Sequence, residues 1–305
     1  MPGIVNKSQL TAIERNFRTL FMEAMHGAVL IGSELAMRVP SSAAVETYNW
    51  LNAIPGMREL IGDVVIKNLS ATEYSITNKE FEDTISVKEA DIERDQLGLY
   101  SPLVTAMGAM AAEHEDELIF DLLINGFTEK DYTGSAFFAT SKKHNPSGKS
   151  KTFSNKGTAV LSTDAFRTAR ENIKSRTNNE GRPMNLGRML KLIVSPANES
   201  LAREIIEADR IDGTSGSKTN VDKGTADLII APRLASNPTY WYLIDTAPAV
   251  KALIVQDEKP AEIRSVTNPE DSHVVLKHEF LYQAYKRGNA GYGLPQLAYG
   301  STGGA

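Results

Sequence analysis

The sequence predicts an α+β fold, because one long helical run and separate groups of strand signals divide the chain without regular alternation. From Pro102 to Ile124, apolar residues recur at three- and four-residue steps. Strand-like alternation fills Gly62–Val87, and buried-strand runs return between Met189 and Gln256 and from His273 to Tyr285. With 305 residues the chain buries roughly 75% of its unfolded surface. Its 41% hydrophobic and 23% charged residues are those of an ordinary globular protein.

The first helix is read from Leu10, Ile13, Phe17, Leu20, Phe21 and Ala24, a narrow apolar stripe ended by Met37–Ser42 with its Pro40. Two readings stay open: a helix docked on its own domain, or an arm lying on a neighbouring subunit. Val64–Ile66, Tyr74–Thr77 and Phe81–Val87 then alternate with period two, and Asn78-Lys79 is a plausible turn between the last two. A ribbon so thin in apolar residues is marginal alone. It either lies on its parent domain or projects to another chain.

The long helix starts at Ser101-Pro102, where proline gives up an amide already unbonded, and ends at Gly126. Leu103, Met107, Met110, His114, Leu118 and Leu122 mark its expected apolar face, broadened by Ala106, Ala111, Ile119 and Leu123, with Glu113, Glu115, Asp116 and Glu117 as solvated charge outside. At ~1.5 Å per residue it is a rod of about 35 Å. Ser162-Thr163-Asp164 opens a second helix, and Met189–Val194 is a buried strand. Ser195-Pro196 restarts a helix, and strands follow at 226–231, 239–244 and 250–256. The last strand, 273–285, carries Val274, Leu276, Phe280, Tyr282 and Ala284 on one face, with His278 read as a core histidine.

Several chemistries are excluded. Cysteine is absent, which removes disulfides, thiolate metal sites and cysteine nucleophiles. Gly148-Lys149-Ser150 lacks the first glycine of a phosphate loop, since Lys143 stands there. Gly213-Thr214-Ser215-Gly216 is no nucleophile elbow. Asp91, Glu93 and Asp95 meet Gln96 and Pro102 where a calcium loop needs glycine and glutamate. No catalytic, cofactor-binding or metal-ligating residue is assigned. A net charge of −5 argues against a dedicated DNA binder. The five lysines between Lys142 and Lys156 are a solvated loop or a weak, sequence-blind contact to phosphates. No apolar run is long enough for a membrane helix, and Met1–Lys7 lacks a secretory signal's apolar core, so a soluble chain made in the cytoplasm is expected.

Particular stretches carry a resemblance. They are Val39-Pro40-Ser41-Ser42, Glu46–Leu51, Gly56–Asp63, Asp91–Gly98, Trp241–Asp245, Arg287-Gly288-Asn289-Ala290-Gly291-Tyr292-Gly293 and Gln296–Ser301. Together they resemble the Mu-like phage major head subunit family, whose members build capsids from the HK97-like fold. One stretch departs: after Phe137-Phe138 the family tends to be acidic and to end in His-Pro, whereas Thr140–Asn145 here is basic.

The resemblance implies an N-terminal arm (1–60), an extended E-loop hairpin (61–90), a peripheral domain with a long spine helix (91–187 and 263–305) and an axial α/β domain (188–262). It further implies subunit contacts at Phe17, Arg38, Trp50, Lys67, Glu73, Tyr74, Lys79, Glu82 and Arg287. The implied function is a structural head protein without enzyme activity, forming hexamers and pentamers of an icosahedral shell in the virion after assembly in the host cytoplasm. Its implied partners are further copies of itself, a scaffolding protein, a portal, a decoration protein and packaged double-stranded DNA held weakly and non-specifically, with no membrane. The alternatives are an encapsulin-like cargo shell and an α/β enzyme.

Overall fold

A computed structural model describes residues 7–48, 51, 74–93, 97–144, 151–178, 181–211 and 218–304. In chain order the elements begin with α1 (Lys7–Gly27), β1 (Ala36–Pro40), β2 (Val45–Thr47), β3 (Ser75–Thr77), β4 (Lys79–Lys88), α2 (Glu89–Glu93) and α3 (Ser101–Asn125). Next come β5 (Lys142–Lys143), β6 (Thr152–Phe153), β7 (Lys156–Gly157), α4 (Thr163–Lys174), β8 (Leu190–Val194), α5 (Glu199–Ile206), β9 (Arg210–Ile211), β10 (Lys218–Thr219), β11 (Asp227–Ile230) and β12 (Trp241–Asp245). The chain closes with β13 (Leu253–Val266), α6 (Ser272–Lys277), β14 (Glu279–Tyr292) and β15 (Ala298–Ser301).

Two sheets organise the molecule. The first has the order β1-β13-β14-β4, with β1 parallel to β13 and the other pairs antiparallel. Period-two alternation on β14 turns Phe280, Tyr282 and Ala284 to one face, where Phe17, Phe21, Val87, Val104, Met107 and Ile263 complete a core. The Phe17 ring meets Tyr282 edge-on, with centroids 4.9 Å apart. Helices α1 and α3 pack together over this face. The N-terminal helix is thus docked on its own body.

The second sheet has the order β11-β8-β12-β15-β7. Every residue of β12 is buried, as a strand covered on both faces must be. Helix α4 starts where Ser162 caps it, its Oγ accepting the Ala165 N–H at 3.2 Å.

Four sequence expectations change. Leu103 and Met110 of α3 face solvent, while Val104, Met107, Ile119, Phe120 and Leu123 point inward together with Glu115 and Asp116. The apolar stripe is rotated because the helix buries two carboxylates that have partners. The strand expected from His273 begins only at Glu279. Asp271 accepts the His273 N–H at 2.9 Å and caps the short helix α6, and His278 then reverses the chain at φ 55°. His278 is therefore an exposed cap, and its Nδ1 lies 3.3 Å from Glu89.

No hairpin turns at Asn78, because β3 pairs with β2 and β4 with β14. Asn78 is instead a junction. Its amide donates to Ser41 Oγ and the Ala43 carbonyl, both at 2.8 Å, and its Oδ1 accepts from Gln256 at 2.6 Å. β13 joins the first sheet from Leu253 onward, and β15 joins the second. Edges and cover decide both, since a buried strand pairs where main-chain groups stand free.

Candidate assembly surface

Helix α3 holds the segment from Ile31 to β1 with consecutive carboxylates. Asp116 accepts the Ile31 and Gly32 N–H groups at 2.8 and 2.9 Å. Glu115, with its side chain 4% exposed, pairs with Arg38 of β1, which also reaches Asp257 of β13 at 3.2 Å. Burial pushes the Glu115 carboxyl up, and Arg38 opposes that shift. The fork of one guanidinium ties arm, spine and sheet together.

Tyr48 and Tyr74 lie side by side. Tyr48 N–H donates to the Tyr74 carbonyl at 2.8 Å, and Tyr48 Oη donates to Gln256 at 2.8 Å. Tyr292 N–H donates to Tyr74 Oη at 2.6 Å, and Asn289 donates to the Thr77 carbonyl at 2.7 Å. Burial pushes the Tyr74 phenol up, as expected for a structural hydroxyl. Tyr48 and Tyr74 are thus tied to each other and to the first sheet.

Strand β4 ends the first sheet, with no strand on its outer side among the described residues. Lys79, Glu80, Glu82, Asp83 and Lys88 charge that edge, which discourages indiscriminate strand addition. Between β4 and α3 runs a groove of about 250 Å³ lined by Phe81, Met107, Met110, Ala111 and His114.

The stretch from Arg287 to Gly293 is explained by packing. A Cβ on Gly288 would strike the Gln256 carbonyl, one on Gly291 the Ile76 side chain, and one on Gly293 the Lys251 carbonyl. Arg176 had no sequence signal. Buried just after α4, it donates to the carbonyls of Gln296 and Ala298, the latter at 3.0 Å, and so clamps the C-terminal segment. Burial pulls its guanidinium down to about 9.

The residues expected at subunit contacts do not form one cluster. Phe17 is withdrawn, because its ring is wholly covered by its own chain. Arg38 is 54% exposed despite its two carboxylates. Tyr74 is half-buried, while Lys79 and Glu82 are exposed on the β4 edge. Arg287 is paired with Glu258 at 3.1 Å and partly exposed. Trp50, Lys67 and Glu73 lie outside the described residues, as do residues 61–73 of the expected E-loop and Gly148-Lys149-Ser150.

The basic cluster is dispersed: Lys142 is buried against Asp131, and Lys156 sits over the Phe127 ring. Among the described residues no group of three or more His, Asp or Glu is placed to hold a metal. None of the described helices is long and apolar enough to cross a membrane.

The family model described as Mu-like prophage major head subunit gpT matches residues 10–160, 156–234 and 235–304. This chain belongs to the Mu-like major head subunit family. The major capsid protein of Escherichia phage Mu is 30% identical to it over 295 residues, which is 97% of this chain and 74% of that protein. The Mu-like prophage FluMu major head subunit of Haemophilus influenzae is 27% identical over 271 residues, covering 89% of this chain and 66% of that protein. This head subunit thus spans about two-thirds to three-quarters of the length of these relatives.

Among solved structures, the procapsid of bacteriophage JBD30 matches at TM-score 0.60 and 30% identity, over 97% of this chain and 76% of that one. A virus-like particle from Pyrococcus furiosus matches at TM-score 0.52 and 12% identity, over 94% and 98% of the two chains, and shares the fold. The fold is the HK97-like capsid fold, and this Mu-like head subunit is a structural capsid component of the virion, built to assemble into a shell.

Proposed function

We propose that the head subunit forms hexamers and pentamers of an icosahedral shell that encloses double-stranded DNA, and that it performs no catalysis. The observation carrying this reading is the likeness, along nearly the whole chain, to a procapsid subunit. Its contacts are heterologous, so one surface meets a different surface on the next copy and the ring closes. Many weak contacts add to a stable container. The stretch 52–73, with Trp50, Arg38, Lys67, Glu73, Tyr74, Lys79, Glu82 and Arg287, supplies part of that surface. Assembly takes place in the host cytoplasm with a scaffolding protein and a portal, and a decoration protein covers the outside. DNA is confined rather than gripped, in keeping with a net charge of −5.

The test is to express the full chain with its scaffolding protein, separate the products by size and image them. Icosahedral particles, filled with DNA in the native host, are the expected result. A lone monomer with turnover would overturn the reading. Particles that carry protein and never DNA would replace it with an encapsulin-like cargo shell.

A further inference from the structure

Asp131 and Lys142 lie in the segment between α3 and α4, with Asp131 near enough to Tyr74 for their charges to interact. Both side chains are 0% exposed, and Lys142 Nζ sits 2.8 Å from Asp131 Oδ2. Its twin, Oδ1, accepts two, from the Thr133 N–H at 2.8 Å and Thr133 Oγ1 at 2.6 Å. Thr133 Oγ1 lies 2.8 Å from Ser135 Oγ, which in turn accepts from Lys142 Nζ at 3.2 Å. Lysine, serine, threonine and aspartate therefore form a continuous donor-to-acceptor relay. It runs from the amine to the far oxygen of the carboxylate the amine touches.

We propose that Asp131 and Lys142 condense into an intrachain isopeptide bond. The relay passes one proton from Nζ to Oδ1, leaving a free amine beside a carboxylic acid. The amine nitrogen attacks Cγ and forms the new N–C bond. The Cγ–Oδ1 bond breaks, and Oδ1 leaves as water with a second proton from the nitrogen. Oδ2 becomes the amide carbonyl. One ammonium and one carboxylate thus give one amide and one water, with no oxidant and no co-reactant.

Burial raises the affinity of the Asp131 carboxyl for its proton and lowers that of the Lys142 amine, so both favour the neutral partners the attack requires. The Thr133 donors hold the departing oxygen in place. The bond would close a loop around Phe137, whose ring stacks on Tyr292 at 4.6 Å, and around Phe138, which packs on Tyr242 at 5.4 Å.

The experiment is the intact mass of the full chain, purified and then unfolded, with a tryptic map. The expected result is a mass one water below that of the sequence, with a branched peptide joining Asp131 to Lys142. K142R and D131A should regain the full sequence mass, and T133V, which breaks the relay, should leave most molecules uncondensed. The full sequence mass in the native chain, with Lys142 completely acetylated after unfolding, would overturn the proposal. So would a lost water mapped to any other pair. The native chain alone decides the matter if a variant fails to fold.

Discussion

At Gly291, β14 is met by the Ile76 side chain of β3, and the space a β-carbon needs is already filled. The Gly291 backbone is ordinary strand, so close approach rather than backbone conformation selects glycine here. G291V should cost about 3 kcal/mol through overpacking. Urea unfolding of the unassembled subunit measures it, and an unchanged midpoint would refute the packing. Gly126 follows the same logic at the end of α3, where a Cβ would lie 2.9 Å from the Phe138 ring. Glu115 and Asp116 show the opposite limit of residue-level reading. Charge type and helical spacing place them outside, yet each finds a partner brought in by a distant segment. Arg176 was illegible for the same reason: its acceptors are carbonyls about 120 residues away.

At the scale of elements, β3 and β4 do not form a single projecting hairpin. β4 pairs along its length with β14, and Val87 is fully buried in the core. Deleting Ala71–Lys88 should therefore destroy the first sheet and give insoluble protein. Replacing residues 54–71 with a short glycine–serine linker should leave a folded subunit, because Tyr48 and Tyr74 already join the two ends. That shortened chain should show native circular dichroism and run as a monomer without forming particles. Normal particles would remove that stretch from assembly. Helix α3 and strands β8 and β12 were legible from periodicity, the two strands because each buries most of an apolar run. The short helix α6 was not, because Val275 and Leu276, exposed at 56% and 77%, imitate a strand's apolar pattern without burial.

The whole molecule is laced together by chain crossings. β13 lies in the first sheet while its Leu253, Ile254 and Val255 share a core with Leu192 and Leu243 of the second. The last strand, β15, returns to the second sheet between β12 and β7. Neither sheet can be removed without exposing the other's core. The unassembled subunit should thus unfold in one cooperative transition, with tryptophan fluorescence and far-UV circular dichroism coinciding. Two separated transitions would show that peripheral and axial parts are independent.

By itself the sequence determined the α+β class, the long rod and, through the stretches closing at Gly293 and Ser301, the kinship with Mu-like head subunits. Those are properties of local spacing and of residue order. Only the tertiary structure decided which face of the rod is buried, where the two sheets exchange strands and that the first helix rests on its own chain. Each of these depends on a partner far away along the chain. A carboxylate, an apolar stripe or a strand edge is stabilised by whatever covers it, and spacing along one segment does not name that cover.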